Sequence, residues 1–170
     1  EPLLTIENLS AGYGDVRVLW NISLAVPAGE ITCIVGSNGA GKSTLSKLLC
    51  GFEKEDRGAI FYKGENIKTK SIKERAEIIG LVMQNPNQMI SKPMIYDEVA
   101  LGLRLRSVSE EEIAERVDKV LKVCGLAPFK SWPISALSYG QKKRVTIASI
   151  LVLDPKIIIL DEPTAGQDFR

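Results

Sequence analysis

The chain has 170 residues, of which 45% are hydrophobic and 25% charged, so it is long enough for one domain with a sizeable core. Its 22 basic and 21 acidic residues nearly cancel, and this balance gives no strong field that would draw the chain to nucleic acid or to anionic lipid. The sequence contains no histidine, which excludes histidine-based catalysis within these residues.

The three cysteines indicate the redox setting. Cys33, Cys50 and Cys124 lie far apart, each within an apolar run, and their spacing fits neither a disulfide framework nor a zinc site. We therefore expect small buried thiols in a reducing compartment. No apolar run in the sequence approaches the ~18 residues that cross a membrane as a helix.

In chain order, the hydrophobic pattern predicts strands mixed with helices, which is typical of an α/β protein. The predicted strands are residues 3–9, 22–26, 30–35, 58–62, 79–83 and 157–160. The predicted helices are residues 42–50, 109–124 and a segment from near 138 towards 154. Turn-forming residues fill 11–15 and 63–66, and the Asn, Gln, Pro and Ser of 85–93 predict a flexible joint.

Some boundaries are predicted at single residues. Ser109 and Glu112 have the spacing of a capping box, and Gly125 is placed to end the helix that they start. Gly51 is placed to end the helix over 42–50. The strand at 157–160 is a continuous apolar run, so we expect it to be buried on both faces.

A glycine-rich segment between the strand at 30–35 and the helix at 42–50 matches the P-loop pattern Gly-x-x-x-x-Gly-Lys-[Ser/Thr]. Its residues are Gly36, Ser37, Asn38, Gly39, Ala40, Gly41, Lys42, Ser43 and Thr44. Loop amides and a helix N-terminus can hold a polyphosphate, with Lys42 reaching the β- and γ-phosphates and the Ser43 hydroxyl binding Mg²⁺. The alternative, a turn that only joins strand to helix, does not explain the full pattern. The sequence therefore predicts a nucleotide site.

Two acids follow the predicted strand at 157–160. Beside a phosphate site, Asp161 can hold the Mg²⁺ shell through water, while Glu162 orients or deprotonates an attacking water. The alternative is a strand that ends in solvated acids, which is common in proteins without a P-loop. The P-loop favours the catalytic interpretation.

The segment Leu-Ser-Tyr-Gly-Gln, residues 137–141, precedes a helix with three basic residues. A serine hydroxyl and unbonded amides at a helix start can bind phosphate. Taken alone, however, Ser138 is more simply an N-cap that contributes ~1 kcal/mol of helix stability.

The order of these segments resembles the ATP-binding subunit of an ABC transporter. The P-loop, the signature-like LSYGQ and the ILDEP segment of 159–163 occur in the same order, and the signature distinguishes this family from other P-loop proteins. The resemblance implies one ATP-binding domain over residues 1–170. That domain would have a P-loop NTPase core, an N-terminal antiparallel β subdomain and an inserted helical subdomain at about 85–141.

The resemblance also assigns roles to single residues. Tyr13 resembles the aromatic residue that stacks on adenine, and Gln84 resembles the glutamine that contacts Mg²⁺ and the attacking water. Glu162 resembles the catalytic carboxylate, and Asp168 lies in the segment that resembles the dimer-crossing loop. The alternatives are a turn tyrosine packed on the sheet for Tyr13 and an ordinary strand-end glutamine for Gln84.

In the family, two subunits face each other head to tail around two ATP molecules. The resemblance therefore implies that the signature contacts the γ-phosphate held by the P-loop of a second subunit, identical or different. These signature residues are Ser138, Tyr139, Gly140 and Gln141.

The sequence departs from the family pattern in two places. Tyr139 stands where the commonest signature has glycine, and a bulky residue here is familiar in the energy-coupling-factor and cobalt-type importers. The family also has a histidine on a strand after the dimer-crossing loop, whereas this chain reaches Arg170 without one. We therefore expect the natural protein to continue beyond Arg170.

The implied function is ATP hydrolysis with Mg²⁺ that drives solute transport, with import of a micronutrient or metal ion favoured. The implied partners are transmembrane transporter subunits, and the implied location is the cytoplasmic face of the membrane. Three alternatives stay open. They are an ATP-binding regulatory module without turnover, a soluble ABC ATPase of DNA repair or translation, and a P-loop kinase.

Overall fold

The structure, a computed structural model, describes residues 1–30, 32–33, 41–83 and 85–160. The chain divides into two compact units, Glu1–Ile79 and Gly80–Arg170. The prediction of a single domain over residues 1–170 stays a prediction.

The first unit contains a four-stranded antiparallel sheet in the order β2-β1-β3-β4. Its strands are β1 (Leu4–Tyr13), β2 (Val16–Val26), β3 (Arg57–Tyr62) and β4 (Glu65–Asn66). At the start of β1 alternate side chains point into the core, where Leu4 and Ile6 lie beside the buried Ile60 of β3. This period of two is what makes one face of a strand apolar.

The β1–β2 hairpin is longer than the sequence predicts. The expected turn-rich segment at 11–15 is reduced to a two-residue turn at Gly14 and Asp15, because β1 continues to Tyr13 and β2 starts at Val16. Gly12 allows the extension, since a Cβ there would lie within 2.1 Å of the Val16 carbonyl oxygen. Strand pairing therefore overrides the turn preference of these residues.

Two helices complete the first unit. The helix α1 (Lys42–Cys50) ends at Gly51 as predicted, and it buries Leu45, Leu48 and Leu49 at helical spacing. The short helix α2 (Ile72–Ala76) was not predicted, although Ser71 and Glu74 form a capping box at its start. The hydrogen bonds from Ser71 lower the pKa of the Glu74 carboxyl.

Half of the predicted strand at 30–35 falls outside the described residues, and its described members, Glu30, Thr32 and Cys33, are not assigned to a strand. Cys33 is exposed, so the expectation of a buried thiol is wrong there, because no described strand covers it. Cys50 is buried and Cys124 half-buried. Burial raises the pKa of both of these thiols.

The second unit is mainly helical. It contains α3 (Ile95–Leu105), α4 (Glu110–Val123) and α5 (Tyr139–Leu151), whose apolar faces share one core that includes Val99, Val117 and Val145. A two-stranded sheet joins β5 (Ile79–Val82), which begins at the last residue of the first unit, to β6 (Ile157–Leu160). The helical subdomain predicted over 85–141 stays a prediction: α3 and α4 lie within these bounds, and α5 extends past them.

The predicted capping box of α4 forms only in part. The Ser109 hydroxyl accepts a hydrogen bond from the Glu112 amide at 3.3 Å, as expected. The Glu112 carboxylate instead lies 3.7 Å from Arg116, one turn along the helix. An ion pair at this spacing competes with the backbone amide for the carboxylate. Gly125 follows the C-cap of α4, in agreement with the sequence.

The strand β6 is less buried than the sequence predicts. Its residues alternate between half-buried and exposed instead of being buried on both faces, and Ile158 and Leu160 are 38% and 47% exposed. Within the described residues β6 is hydrogen-bonded to β5 alone, so less of its apolar surface is covered than the continuous apolar run suggests.

The segment at 85–93, predicted as a flexible joint, contains defined backbone contacts. Pro86–Gln88 form a 3₁₀ turn, and the Asn85 side chain caps it by accepting a hydrogen bond from the Asn87 amide at 3.0 Å. Two further 3₁₀ turns, Ala127–Phe129 and Ile134–Ala136, connect α4 to α5.

Candidate functional site

The described part of the P-loop is residues 41–44, at the start of α1. Gly41 is the N-cap, with φ 95° and ψ 6° in the left-handed region, and it has no side chain with which to cap the helix. The first turn contains no acidic residue. Because first-turn amides have no acceptor inside their own helix, this helix start offers backbone donors and the positive end of the helix dipole. Both features favour an anion at this end of α1.

A β-bulge explains why this position must be glycine. Ala11 pairs with Leu19 and Gly12 with Arg17, so Val18 is an extra residue on β2. A Cβ at Gly41 would lie 2.5 Å from a Leu19 methyl group and 3.3 Å from a Val18 methyl group. The bulge therefore turns two consecutive apolar side chains towards the start of α1, and the Leu19 side chain would have to shift to admit a Cβ at a position whose left-handed backbone already favours glycine.

The three residues after Gly41 differ in exposure. Ser43 is exposed, Lys42 is half-buried and Thr44 is buried, so the Ser43 hydroxyl is open to a ligand from solvent. A hydroxyl is a hard oxygen donor of the kind that Mg²⁺ prefers, and Ser43 thus fits the predicted metal role. The described residues contain no group of three or more cysteine, aspartate or glutamate side chains that could hold a metal on its own.

Tyr13 lies at the end of β1, opposite Val16 of β2. The residue is 45% exposed, so a ligand can approach it from solvent. Val18, two residues further along β2, is one of the residues that contact position 41. The hairpin therefore places Tyr13 at the end that packs against the start of α1.

The predicted signature residues lie at the start of α5 and form a complete capping box. The Ser138 hydroxyl accepts a hydrogen bond from the Gln141 amide at 3.2 Å. The Gln141 side-chain oxygen accepts one from the Ser138 amide at 2.9 Å. The plain N-cap considered from the sequence is therefore present.

The cap does not remove the capacity of this helix start to bind an anion. A serine hydroxyl that accepts a hydrogen bond keeps its own O–H to donate, so Ser138 can cap α5 and donate to a phosphate together. The amides of Tyr139 and Gly140 lie in the first turn, where the helix provides no acceptor. A Cβ at Gly140 would meet nothing within 4 Å, so the approach to these amides is open. The side chain of Tyr139 is exposed, with the Lys143 ammonium 5.4 Å from the centre of its ring.

The described site residues divide between the two units: Tyr13 and residues 41–44 lie in the first, and residues 138–141 in the second. The other predicted site residues lie outside the described part of the chain. They are Gly36, Ser37, Asn38, Gly39, Ala40, Gln84, Asp161, Glu162 and Asp168.

Sequence reasoning missed two buried charged residues. Arg75 reaches the last turn of α1, where its Nη1 donates to the Leu48 carbonyl at 2.8 Å. Its Nη2 donates to the Ile67 carbonyl, just after β4, at 3.0 Å. The carboxylate of Glu98 accepts hydrogen bonds from two backbone amides. Arg75 lies in a polar stretch that suggests a solvent-facing segment, and Glu98 stands beside Asp97 in an otherwise apolar run. Only the fold reveals that both charged residues are buried.

The comparisons with known proteins agree with the motifs. The profile of the ABC transporter family matches residues 19–165, which is most of the chain. This chain belongs to the ABC transporter family. Its fold is accordingly the α/β fold of the ABC ATPases, a P-loop core with an antiparallel β subdomain.

Several relatives of this ABC-family chain are described as putative ABC transporter ATP-binding proteins. One from Clostridium perfringens is 59% identical over 171 residues, which cover 100% of this chain and 30% of that protein. One from Enterococcus faecalis is 61% identical over 170 residues, which cover 99% of this chain and 30% of that protein. The chain thus spans about 30% of the length of the curated relatives that it matches.

A solved structure resembles the chain closely. It is cbiO1 from Clostridium perfringens, described as part of the ABC transporter complex cbiONQ, and it matches with a TM-score of 0.92 at 40% identity. The match covers 98% of this chain and 68% of cbiO1. Among the described residues of the ABC-family chain, no helix combines the length and the apolar character that crossing a membrane requires.

Proposed function

We propose that this chain binds ATP with Mg²⁺ and takes part in ATP hydrolysis that drives solute import across a membrane, with a micronutrient or metal ion as the solute. The observation that carries the proposal is the start of α1. A P-loop sequence there meets a helix whose glycine N-cap has no side chain and is packed against Leu19. This arrangement suits the polyphosphate of a nucleotide.

The proposed reaction is attack of water on the γ-phosphorus. The bond from that phosphorus to the bridging oxygen breaks, and ADP and phosphate leave. Glu162 accepts the proton of the water, and Lys42 neutralises charge on the β- and γ-phosphates. Ser43, Gln84 and Asp161 would hold Mg²⁺, which would supply further positive charge at the phosphates. Tyr13 stacks on the adenine, for which its exposed ring is available.

The second predicted phosphate site, at the start of α5, would contact the nucleotide of a partner ATP-binding unit. Ser138 and Gly140 present a hydroxyl and an amide at the open start of α5, and we propose that they reach the γ-phosphate bound by the partner's P-loop. Tyr139 and Gln141 complete this contact, and Asp168 lies in the loop that crosses the interface. The partner is a second ATP-binding subunit, identical or different.

The length of the relatives suggests where such a partner can lie. The chain spans 30% of the curated relatives but 68% of cbiO1, so the relatives are more than twice as long as cbiO1. That length is enough for a second ATP-binding domain in the same polypeptide. We therefore include a tandem arrangement among the proposed pairs.

The proposed membrane partners are transmembrane transporter subunits. The support is the neighbour cbiO1, which is described as part of the complex cbiONQ. A micronutrient or metal ion as solute rests on this likeness and on Tyr139 in the signature. The chain would then work at the cytoplasmic face of the membrane, with Gln84 and the helical subdomain at about 85–141 carrying the motion. No nucleic acid partner is proposed, since the charges nearly cancel.

Two variants of the complete protein test this proposal. Lys42→Ala should weaken ATP binding by roughly 10- to 100-fold, because charge-assisted hydrogen bonds to phosphate are worth about 1.5–3 kcal/mol. Glu162→Gln should keep the affinity and lower the turnover rate by at least about 100-fold, because it removes the general base. The measurements are binding of a fluorescent ATP analogue and release of phosphate.

The matched control for the first variant is Lys47→Ala, which removes the same side chain from the exposed last turn of α1. Its affinity should equal that of the natural protein. Unchanged affinity in Lys42→Ala would overturn the P-loop assignment. Undiminished turnover in Glu162→Gln would remove that residue from its role. Tight binding by the natural protein without any phosphate release would instead favour a regulatory module.

A further inference from the structure

Glu98 is a buried carboxylate in the first turn of α3. Only 5% of the residue is exposed, and the carboxylate makes no ion pair within the described residues. One of its oxygens accepts hydrogen bonds from the Ser91 amide at 3.1 Å and from the Lys92 amide at 2.8 Å. Since burying a carboxylate is costly unless it is hydrogen-bonded, these two backbone contacts are what make the position acceptable. They also fix the backbone of residues 91–92 against α3.

The residues that follow pair with the segment before the signature. The Ile134 amide donates to the Pro93 carbonyl at 2.8 Å, and the Ile95 amide donates to the Trp132 carbonyl at 3.1 Å. Met94 and Pro133 form the antiparallel bridge between these two hydrogen bonds. Residues 93–95 therefore set the backbone position of residues 132–134.

The signature segment begins at Leu137, three residues after Ile134. The 3₁₀ turn Ile134–Ala136 is closed by hydrogen bonds from Ala136 to Pro133 and from Leu137 to Ile134. Leu137 is buried in the same core as Ile134 and the α3 residues Ile95 and Val99. Ser138, the N-cap of α5, follows directly. Defined backbone contacts thus run without a break from the Glu98 carboxylate to the signature.

We propose that Glu98 is a positioning residue for the signature. By holding residues 91–92 it aligns residues 93–95 with residues 132–134, and this alignment sets where Ser138 and Gly140 present their donors. The inference rests on the proposed function, in which those donors meet the γ-phosphate of a partner unit.

The expected effect is on turnover and not on nucleotide binding by the chain's own P-loop. Ser91 and Lys92 are exposed residues and their hydrogen bonds to Glu98 are only partly buried, so we expect water to reach these amides when the carboxylate is removed and the segment to loosen without unfolding the unit. A misplacement of about 1 Å at a reacting group can lower a rate by up to about 100-fold. Residues 41–44 make none of these contacts.

The test compares Glu98→Leu and Glu98→Gln in the complete protein. Glu98→Leu should lower kcat by about tenfold, while the affinity for a fluorescent ATP analogue stays within about twofold. Glu98→Gln keeps one oxygen acceptor and should recover most of the lost kcat. The control is Asp97→Asn, which changes the neighbouring exposed carboxylate that pairs with Arg104, and it should behave as the natural protein does.

A second measurement does not depend on turnover. Amide hydrogen exchange should become faster in Glu98→Leu at residues 91–95 and also at residues 132–138, because the two segments share the bridge. Faster exchange at 91–95 alone, a natural kcat in Glu98→Leu, or an equal loss of affinity and kcat would each overturn the positioning role. If the natural protein releases no phosphate, the proposed function fails, and the exchange result alone then decides whether Glu98 positions residues 132–138.

Discussion

The chain has two helix starts with predicted phosphate roles, and they are built in opposite ways. At the start of α1, the N-cap Gly41 has no side chain and so cannot accept a hydrogen bond from the first-turn backbone amides. At the start of α5, the side chains of Ser138 and Gln141 accept hydrogen bonds from each other's amides. The amides of Tyr139 and Gly140 have no acceptor within the helix. The start of α5 thus has a side-chain cap from its own residues, whereas the N-cap of α1 provides none, which suits the phosphate site that we propose there.

The two N-caps are expected to contribute differently to stability and to ligand binding. A glycine N-cap stabilises a helix by only about a few tenths of a kcal/mol less than a serine N-cap does, and we expect a bound anion at the start of α1 to offset that difference. The α5 start has its serine cap without a ligand. Substitutions at the two helix starts should therefore differ in how much they change the free energy of unfolding and how much they change turnover.

The largest expected effect is that of Gly41→Ala. The residue combines φ 95° with a Leu19 methyl group 2.5 Å from any Cβ, so we expect a loss of at least about 2 kcal/mol in the free energy of unfolding. ATP binding should fall with it. Chemical denaturation and binding of a fluorescent ATP analogue measure the two losses.

Two other glycines serve as controls for that prediction. Gly14 has φ 58° with nothing within 4 Å of a Cβ, so Gly14→Ala should cost only about 1 kcal/mol for the left-handed backbone. Gly140 lies in open space without a positive φ, and Gly140→Ala should change stability by less than about 0.5 kcal/mol. If Gly41→Ala costs no more than Gly14→Ala, the packing of Leu19 against the P-loop helix is not what requires glycine.

A smaller effect on stability is expected from Ser138. Ser138→Ala should cost ~1 kcal/mol because the Gln141 amide loses its acceptor. Ser138→Asp retains a capping oxygen and should match the natural stability within about 0.5 kcal/mol. It nevertheless removes the O–H donor and places a negative charge near the phosphate, so turnover should fall in both variants. Thermal unfolding measures the change in stability, and phosphate release measures turnover. Full turnover in Ser138→Asp would mean that Ser138 acts only as an N-cap.

The smallest effect is expected from Gln141. Gln141→Ala leaves the exposed Ser138 amide to water, so the loss of stability should be about 0.5 kcal/mol, with turnover changed less than in Ser138→Ala. Gln141→Glu preserves the capping box and should restore the stability. A loss in Gln141→Ala as large as that in Ser138→Ala would mean that the side-chain oxygen of Gln141, and not the Ser138 hydroxyl, maintains this helix start.

The two helix starts also differ in how much of their structure could be predicted from the sequence. The start of α5 was predictable, because a Ser-x-x-Gln pattern is local and each cap partner is three residues away. The identity of the P-loop was equally local. The reason for glycine at position 41 was not, since it depends on a bulge at Val18 that is set by pairing across the sheet.

The other misses have the same physical origin. The extension of β1 through Gly12 depends on its pairing with β2, and the exposure of Ile158 depends on which strands flank β6. The burial of Glu98 depends on backbone amides that precede it by six and seven residues and would be expected to bind water. A periodicity predicts that an apolar face exists, but it does not identify what covers that face.

The guanidinium of Arg75 has a consequence for the P-loop helix in salt solution. It lies at the C-terminal end of α1, hydrogen-bonded to the Leu48 carbonyl, and only 6% of the residue is exposed. Mobile ions weaken the interaction of a helix dipole with exposed charges, but they have little access to a buried one. The stabilisation of this end of α1 should therefore persist at high ionic strength. In a titration with sodium chloride, we therefore expect the proposed phosphate binding at the N-terminal end of α1 to weaken before the stabilisation of its C-terminal end does.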